Sequence, residues 1–215
     1  MPPIPIFITG TGTEIGKTIV SAIVTEALHA DYWKPIQAGN EGDTDALRIK
    51  AMISNHESVV HNTAYELELP ASPHIAARKD DVFIDLDHIC TSLSQIRSNK
   101  KYMIIEGVGG IMVPLNEHEF VIDLVQKLNA KVILVSRNYL GSINHSLLTA
   151  ALCKQRKLNV AGWFFSDEYM NYEDEIVQWS GFPKIGSVPY VETISKEFVL
   201  AEAAKIKTKL IQLLQ

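Results

Sequence analysis

The feature that most restricts this chain is the segment Gly10-Thr11-Gly12-Thr13-Glu14-Ile15-Gly16-Lys17-Thr18, which follows the apolar run Ile4-Pro5-Ile6-Phe7-Ile8-Thr9. Beyond it, Ile15, Ile19, Ala22, Ile23 and Ala27 recur at helical spacing and predict a helix over residues 16–29. A strand, a glycine-rich turn and a helix in that order form the setting of a phosphate-binding P-loop. The usual pattern has four residues between its first glycine and Gly-Lys-Thr; counted from Gly10 this loop has five, so it is a variant. The physics survives the extra residue. Glycines let backbone N–H groups curl towards phosphate oxygens, the helix start adds partial positive charge, Lys17 reaches the terminal phosphates, and Thr18 can ligate Mg²⁺. The bland alternative, a turn with a chance Gly-Lys-Thr, does not account for the flanking strand and helix.

Short apolar runs alternate with amphipathic segments along all 215 residues, the pattern of a βα repeat with a mainly parallel sheet and helices on both faces. Strands are expected at 4–9, up to Lys34, and at 102–105, 132–135, 160–165 and 185–188. Helices are expected at about 43–55, 85–98, 120–128, 142–156 and 171–179, and from about 193 onwards. Asp43 and Thr44 look like caps of one, Asp85 or Asp87 of another. The stretch 57–81 gives no clear pattern. With no linker or repeat, the chain reads as one α/β domain, residues 1–215, of the P-loop NTPase type. In such sheets ligands gather at the rim formed by the strand C-termini.

Composition excludes several function classes. A net charge of −5, with Lys and Arg scattered, argues against a nucleic-acid partner. No apolar run approaches the ~20 residues of a membrane span, and the first residues do not resemble a signal peptide. Cys90 and Cys153 have no metal-type spacing and read as core side chains in a reducing compartment. A cytoplasmic protein with no membrane partner is expected.

Four further features fall at expected strand ends. Lys34, before Pro35, is either a solvated strand-end lysine or a second cation beside the γ-phosphate. Glu106 opens Glu106-Gly107-Val108-Gly109-Gly110, where an acidic residue can hold Mg²⁺ and glycines can let backbone approach a nucleotide. Of Asp43 and Asp45, one could be a cap and the other a second carboxylate for the metal; spacing does not say which. Gly141-Ser142-Ile143-Asn144 opens a helix whose free N–H groups could hold a carboxylate.

In this order the residues resemble the dethiobiotin synthetases. The resemblance is carried by Thr9 to Thr18, Lys34-Pro35-Ile36-Gln37-Ala38-Gly39, Asp45-Ala46-Leu47, Ser72-Pro73-His74, Glu106 to Gly110, Gly141 to His145, and Ala161-Gly162-Trp163. It implies an ATP- and Mg²⁺-dependent carboxylation and ring closure of 7,8-diaminononanoate with CO₂, giving dethiobiotin, ADP and phosphate. It implies nucleotide contacts from Glu14, Ile15, Gly16, Lys17, Thr18 and Ile19, and from Asp45, Glu106, Gly107, Val108 and Gly109. Further along, Ser166, Asp167, Pro189, Tyr190 and Val191 would reach the base. Thr18, Asp45 and Glu106 match the Mg²⁺ positions, which prefers Asp45 over Asp43. Lys34 matches the lysine regarded as catalytic, with Lys17 on the phosphates and Thr13 near the carbamate. Substrate contacts are implied for Thr13, Lys34 and position 38, and for Gly141, Ser142, Ile143 and Asn144, whose helix start receives the substrate tail from the partner in a homodimer. His74 reads as structural.

Two departures stand out. Ala38 lacks the hydroxyl the family often has, which Gln37 would have to replace. Ser166 stands where an asparagine tends to read adenine, and serine cannot make the two-point amide contact. Two other classes fit the residues less well. Partitioning or septum-site ATPase switches usually carry an extra lysine early in the loop, and Thr11-Gly12-Thr13 offers none. Related amide-forming ligases need a glutamine-hydrolysing domain, for which 215 residues leave no room.

Overall fold

The structure, a computed structural model, describes residues 2–39, 42–167 and 169–215. In chain order the elements are β1 (Ile4–Gly10), α1 (Lys17–Leu28), β2 (Asp31–Trp33), β3 (Ile36–Ala38), α2 (Asp45–Met52), β4 (Val60–His61) and β5 (Tyr65–Leu67). There follow α3 (Pro73–Lys79), α4 (Leu86–Gln95), β6 (Tyr102–Glu106), α5 (Val121–Lys127), β7 (Lys131–Arg137) and α6 (Ser142–Gln155). The last are β8 (Asn159–Ser166), α7 (Glu173–Ser180), β9 (Lys184–Val188) and α8 (Lys196–Leu213). Among the described residues, seven strands form one sheet in the order β4-β2-β6-β1-β7-β8-β9, with every pairing parallel. Strands β3 and β5 make a separate parallel pair.

Alternation along the central strands explains two cores. Ile6 and Ile8 of β1, Ile104 of β6 and Ile133 and Val135 of β7 pack on the face covered by α1, α2 and α8. Phe7, Met103, Ile105, Val132 and Leu134 pack on the opposite face with residues of α3 to α7. On β8 the parity changes at Gly162, where φ is +152° and the register slips: Ala161 and Phe164 share one core, Trp163 and Phe165 the other. A Cβ at Gly162 would lie 2.4 Å from the Pro183 carbonyl oxygen.

The α/β reading therefore holds, with local corrections. Residues 57–81 contain β4, β5 and α3, and β3 was not expected at all; runs of two or three residues are too short to carry a period. Helix α2 is capped by Thr44, whose Oγ1 accepts from Leu47 N at 3.4 Å, while the exposed Asp43 pairs with Arg48 at 2.6 Å. For α4 the cap is Asp85, accepting from Asp87 N at 2.8 Å. No helix among the described residues is long and apolar enough to cross a membrane.

Candidate active site

Strand β1 delivers the loop between its neighbours. Gly10 comes so close to β7 that a Cβ there would sit 2.1 Å from the Val135 carbonyl oxygen, so only glycine fits. Thr11 N donates back to Val135 O at 3.1 Å, and Ile111 N donates to Gly10 O at 3.3 Å. Glu14 (φ +53°) and Gly16 (φ +91°) take left-handed conformations that turn the chain into α1. Lys17 folds over the loop and donates to Gly12 O at 2.6 Å. Its pKa is lowered to about 8, chiefly by burial; the carboxylates of Glu106 and Asp45 oppose the shift and Lys34 adds to it.

Side-chain period then gathers the remaining groups. On β6, Tyr102, Ile104 and Glu106 share a face, and β2 is registered so that Tyr32 lies opposite Ile104. Tyr32 and Lys34, two residues apart, turn to the same face, which is the one α1 and α2 cover. Thr18 of α1 and Asp45 of α2 meet them there. Thr18 Oγ1 lies 2.8 Å from Asp45 Oδ1 and 2.9 Å from Glu106 Oε1. The Lys34 ammonium touches Asp45 Oδ2 and lies 3.3 Å from Glu106 Oε1. Tyr32 Oη donates to the other carboxylate oxygen, Glu106 Oε2, at 3.0 Å. Glu106 is 1% exposed and Lys34 5%, so neither is a surface charge. Burial alone would lower the Lys34 pKa, but Glu106 and Asp45 together outweigh it and hold the ammonium above its ordinary range. Burial opposes ionisation of Asp45 too, and Lys34 overcomes it. Tyr32, buried beside Glu106, is held well above the usual phenol range and keeps its proton.

This donor set fits a divalent cation. Thr18 has one hydroxyl proton for two carboxylate acceptors, so one of its short contacts sets lone pairs against each other unless a cation joins them. Three hard oxygens, two of them carboxylate, suit Mg²⁺, which is held by one or two carboxylates with water and phosphate completing the shell. Among the described residues no group of three or more His, Cys, Asp or Glu is placed to hold a metal ion.

A cleft of about 880 Å³ opens over the cluster. Of the expected site residues, the loop from Thr13 to Ile19 lines it, as do Lys34, Ala38, Asp45, Glu106, Val108 and Gly109. Ser72 and Pro73 form part of its wall, whereas His74 bonds Ser72 Oγ at 3.0 Å and does not line it. Gly107 is absent from the lining as well: it is small because Phe7 leaves no room, a Cβ falling 2.6 Å from the Phe7 ring. Gly109 (φ +60°) would likewise strike Val113, at 2.7 Å. Gln37 lines the cleft; its amide nitrogen donates to Gly39 O at 2.9 Å and Ala38 O at 3.3 Å, which leaves its buried amide oxygen as the acceptor it could offer a substrate.

Other expected residues lie outside this cleft. Ser166, at the end of β8, donates to Ile15 O at 2.9 Å and packs behind the loop, 3.2 Å from where a Gly16 Cβ would be. Asp167 pairs with Arg137 at 3.1 Å. Pro189, Tyr190 and Val191 follow β9, with Tyr190 exposed. Gly141 caps α6, and Ser142, Ile143 and Asn144 form its first turn; Ser142 Oγ is bonded to Tyr172 Oη at 2.8 Å. None of these four lines the cleft of their own chain. Sequence reasoning missed Tyr32, although its place two residues before Lys34 puts both side chains on one face of a strand.

The AAA domain family model matches residues 5–197. Over 202 residues the chain is 45% identical to the ATP-dependent dethiobiotin synthetase BioD of Cytophaga hutchinsonii, covering 93% of this chain and 95% of that protein. Its counterpart of the same name in Christiangramia forsetii is 46% identical over 192 residues, covering 89% and 87%. Among solved structures, a ParA family ATPase from Chlorobium tepidum TLS superposes with a TM-score of 0.59 at 14% identity, covering 100% of this chain and 98% of that one. The septum site-determining protein MinD of Pyrococcus horikoshii, complexed with Mg-ADP, gives 0.54 at 15% identity, covering 99% and 94%. Identities this low speak for the fold alone. The sequence relatives, matched along nearly their whole length, say more: the chain belongs to the ATP-dependent dethiobiotin synthetase family.

Proposed function

We propose that the chain, as a single domain, converts 7,8-diaminononanoate, CO₂ and ATP to dethiobiotin, ADP and phosphate in biotin biosynthesis. The observation that carries the reading is the buried cluster of Thr18, Lys34, Asp45 and Glu106 beside the Lys17 loop. In the reaction, one amine adds through its lone pair to CO₂ and loses a proton, leaving a carbamate. A carbamate oxygen attacks the γ-phosphorus of ATP, the bond to the bridging oxygen breaks, and ADP departs. The second amine attacks the carbamate carbon, the C–O bond to phosphate breaks, and loss of the amine proton closes the urea ring.

The chain's part is to bring two anions together. A carbamate and a γ-phosphate repel, and fixed cations offset that repulsion at no reorganisation cost. Lys17 holds the phosphates from the loop, Lys34 neutralises the carbamate and the oxygens being transferred, and Thr13 positions the carbamate. Thr18, Asp45 and Glu106 would hold Mg²⁺, which would supply charge neutralisation to the reacting phosphates. Val108 and Gly109 line the same cleft. Ser166, Asp167 and the segment Pro189-Tyr190-Val191 are assigned to the base. Gly141, Ser142, Ile143 and Asn144 are assigned to the substrate tail of the partner subunit, which makes a homodimer the functional unit; the support for that assignment is the match of Gly141 to His145 to the family's motif. A cytoplasmic setting suits the free Cys90 and Cys153.

Phosphate release is the deciding assay, run with diamine and bicarbonate each left out in turn. Release is expected only with both present, and dethiobiotin is expected in equal amount. Hydrolysis of ATP independent of both would refute the reading and favour a nucleotide switch.

A further inference from the structure

We infer that Tyr32 is a metal-selecting residue: by occupying Glu106 Oε2 it restricts that carboxylate to one-oxygen coordination, favouring a small, strictly octahedral cation over a larger one. The inference rests on the metal reading above and deepens it. Glu106 has two oxygens with different surroundings. Oε1 faces Thr18 Oγ1 at 2.9 Å and Lys34 Nζ at 3.3 Å, on the side where a cation fits. Oε2 receives the Tyr32 hydroxyl at 3.0 Å. Tyr32 cannot easily give way, because its side chain is 0% exposed within the core beneath α1.

Carboxylate denticity separates the two common hard cations. Ca²⁺ takes six to eight oxygens and accepts bidentate carboxylates, whereas Mg²⁺ demands near-ideal octahedral geometry with short single bonds. A carboxylate oxygen that already accepts a hydrogen bond is a poorer metal ligand than its free neighbour, and the bond resists the rotation that would present both oxygens to one ion. Hydrogen bonds to ligating carboxylates also fix their orientation, and removing such a partner typically costs 10–100-fold in metal affinity or activity. Nothing in the loop motif or the cluster of charges requires a tyrosine here; a phenylalanine would fill the same core.

The test is Tyr32→Phe, which removes one oxygen and keeps the packing. Wild type and variant are titrated with MgCl₂ and, separately, CaCl₂ in the presence of ADP, reading the rise in thermal midpoint relative to each protein's own metal-free midpoint. The Mg²⁺ concentration for half the effect is expected to rise about tenfold in the variant. The Ca²⁺ concentration should stay level or fall, so the preference for Mg²⁺ shrinks. In turnover, the variant should regain most of the wild-type kcat at saturating Mg²⁺. A lower metal-free midpoint with both titrations unchanged would mean the hydroxyl serves packing only and would overturn the inference. Equal weakening for both ions would also overturn it. If the wild type itself gains nothing from Mg²⁺, the metal reading fails with it; that result is distinct from a failure of Tyr32 alone.

Discussion

Replacing Lys34 by methionine keeps an apolar stem of similar length and removes the ammonium, its charge together with its bonds to Asp45 and Glu106, so its effects report what that cation does for the cluster. The Lys34 side chain is 6% exposed, and its partners Asp45 and Glu106 are 18% and 1% exposed. Without the ammonium, two carboxylates share one Thr18 proton at 2.8 and 2.9 Å, and one Tyr32 proton on the far oxygen of Glu106. Breaking a buried pair from one side costs about 3–5 kcal/mol; Asp45's partial exposure places this case near the lower end, about 3 kcal/mol. That is a large share of a typical domain stability of about 5–15 kcal/mol. Two remedies should each recover much of it. Lower pH is one: Asp45 is held below its ordinary pKa by Lys34 against the opposing effect of burial, so in the variant burial prevails and a proton is taken up more readily. Mg²⁺ is the other, since it can take the place of the lost cation. Urea unfolding at pH 7.5 and pH 5.5, each with and without Mg²⁺, measures both. The variant should gain more from Mg²⁺ than the wild type, whose Lys34 competes for the same oxygens. Dethiobiotin formation should fall at least about a hundredfold, as expected for loss of a preorganised cation at developing charge. An unaltered unfolding midpoint, or a deficit that neither acid nor Mg²⁺ lessens, would refute the picture of a cation holding two carboxylates.

Away from the cleft, Glu26 of α1 accepts bonds from Ser54 N and Oγ, both at 2.7 Å, and from Asn55 N at 3.2 Å and Nδ2 at 3.0 Å, tying down the chain after α2. Glu26→Ala should cost about 2–4 kcal/mol in urea unfolding at neutral pH. Burial opposes its ionisation, but these bonds win and depress its pKa, so the stability it supplies is complete above the unfolded glutamate pKa and is lost as pH falls through the folded one. The gap between wild type and variant should therefore narrow in acid, and a pH-independent gap would count against it. Ser166 has its proton on Ile15 O and can offer a base only an acceptor, so competition between ATP and GTP should discriminate less than in a Ser166→Asn variant; an equal preference would dismiss that role. Gly162→Ala should destabilise by at least about 2 kcal/mol, since its Cβ meets backbone at 2.4 Å, and a wild-type melting temperature would show the bulge to be adaptable.

The loop between β1 and α1 was legible because its function and its fold use the same residues: glycine, lysine and threonine at fixed spacing next to a strand and a helix. The long central strands were legible for a related reason, as both faces are buried and they read as continuous apolar runs. What escaped is instructive. At Gly107 the sequence suggests room for a nucleotide, and the structure adds a second reason for glycine, the Phe7 ring 2.6 Å from where a Cβ would sit, which no local pattern announces. The caps at Asp43 and Thr44 are adjacent and chemically alike, and only the geometry of α2 chose Thr44. Lys34, Asp45 and Glu106 come from three separate segments, and sequence alone gives no distance between them. Tyr32 was visible in principle through strand period, but a three-residue strand shows no alternation.

That short strand matters more than its length suggests. A slip of one residue in β2 would turn Tyr32 and Lys34 to the face of Phe7 and Trp163 and leave Glu106 buried without a cation. Three backbone-length contacts to β6 would not fix such a register firmly, and the chain supplies other anchors at both ends. The buried Asp31 accepts from Val59 N at 2.8 Å, Tyr32 N donates to Val59 O at 2.9 Å, and Trp33 Nε1 donates to Asn62 O at 2.9 Å. Pro35 then stops the strand, and its carbonyl accepts from Ala64 N at 3.0 Å and Tyr65 N at 2.9 Å. The stretch 57–65, which has little regular structure of its own, therefore sets the position of the lysine. Its place in the fold is understood only through that role: it is a clamp on the register of β2, and through β2 on the charge that stands between two carboxylates.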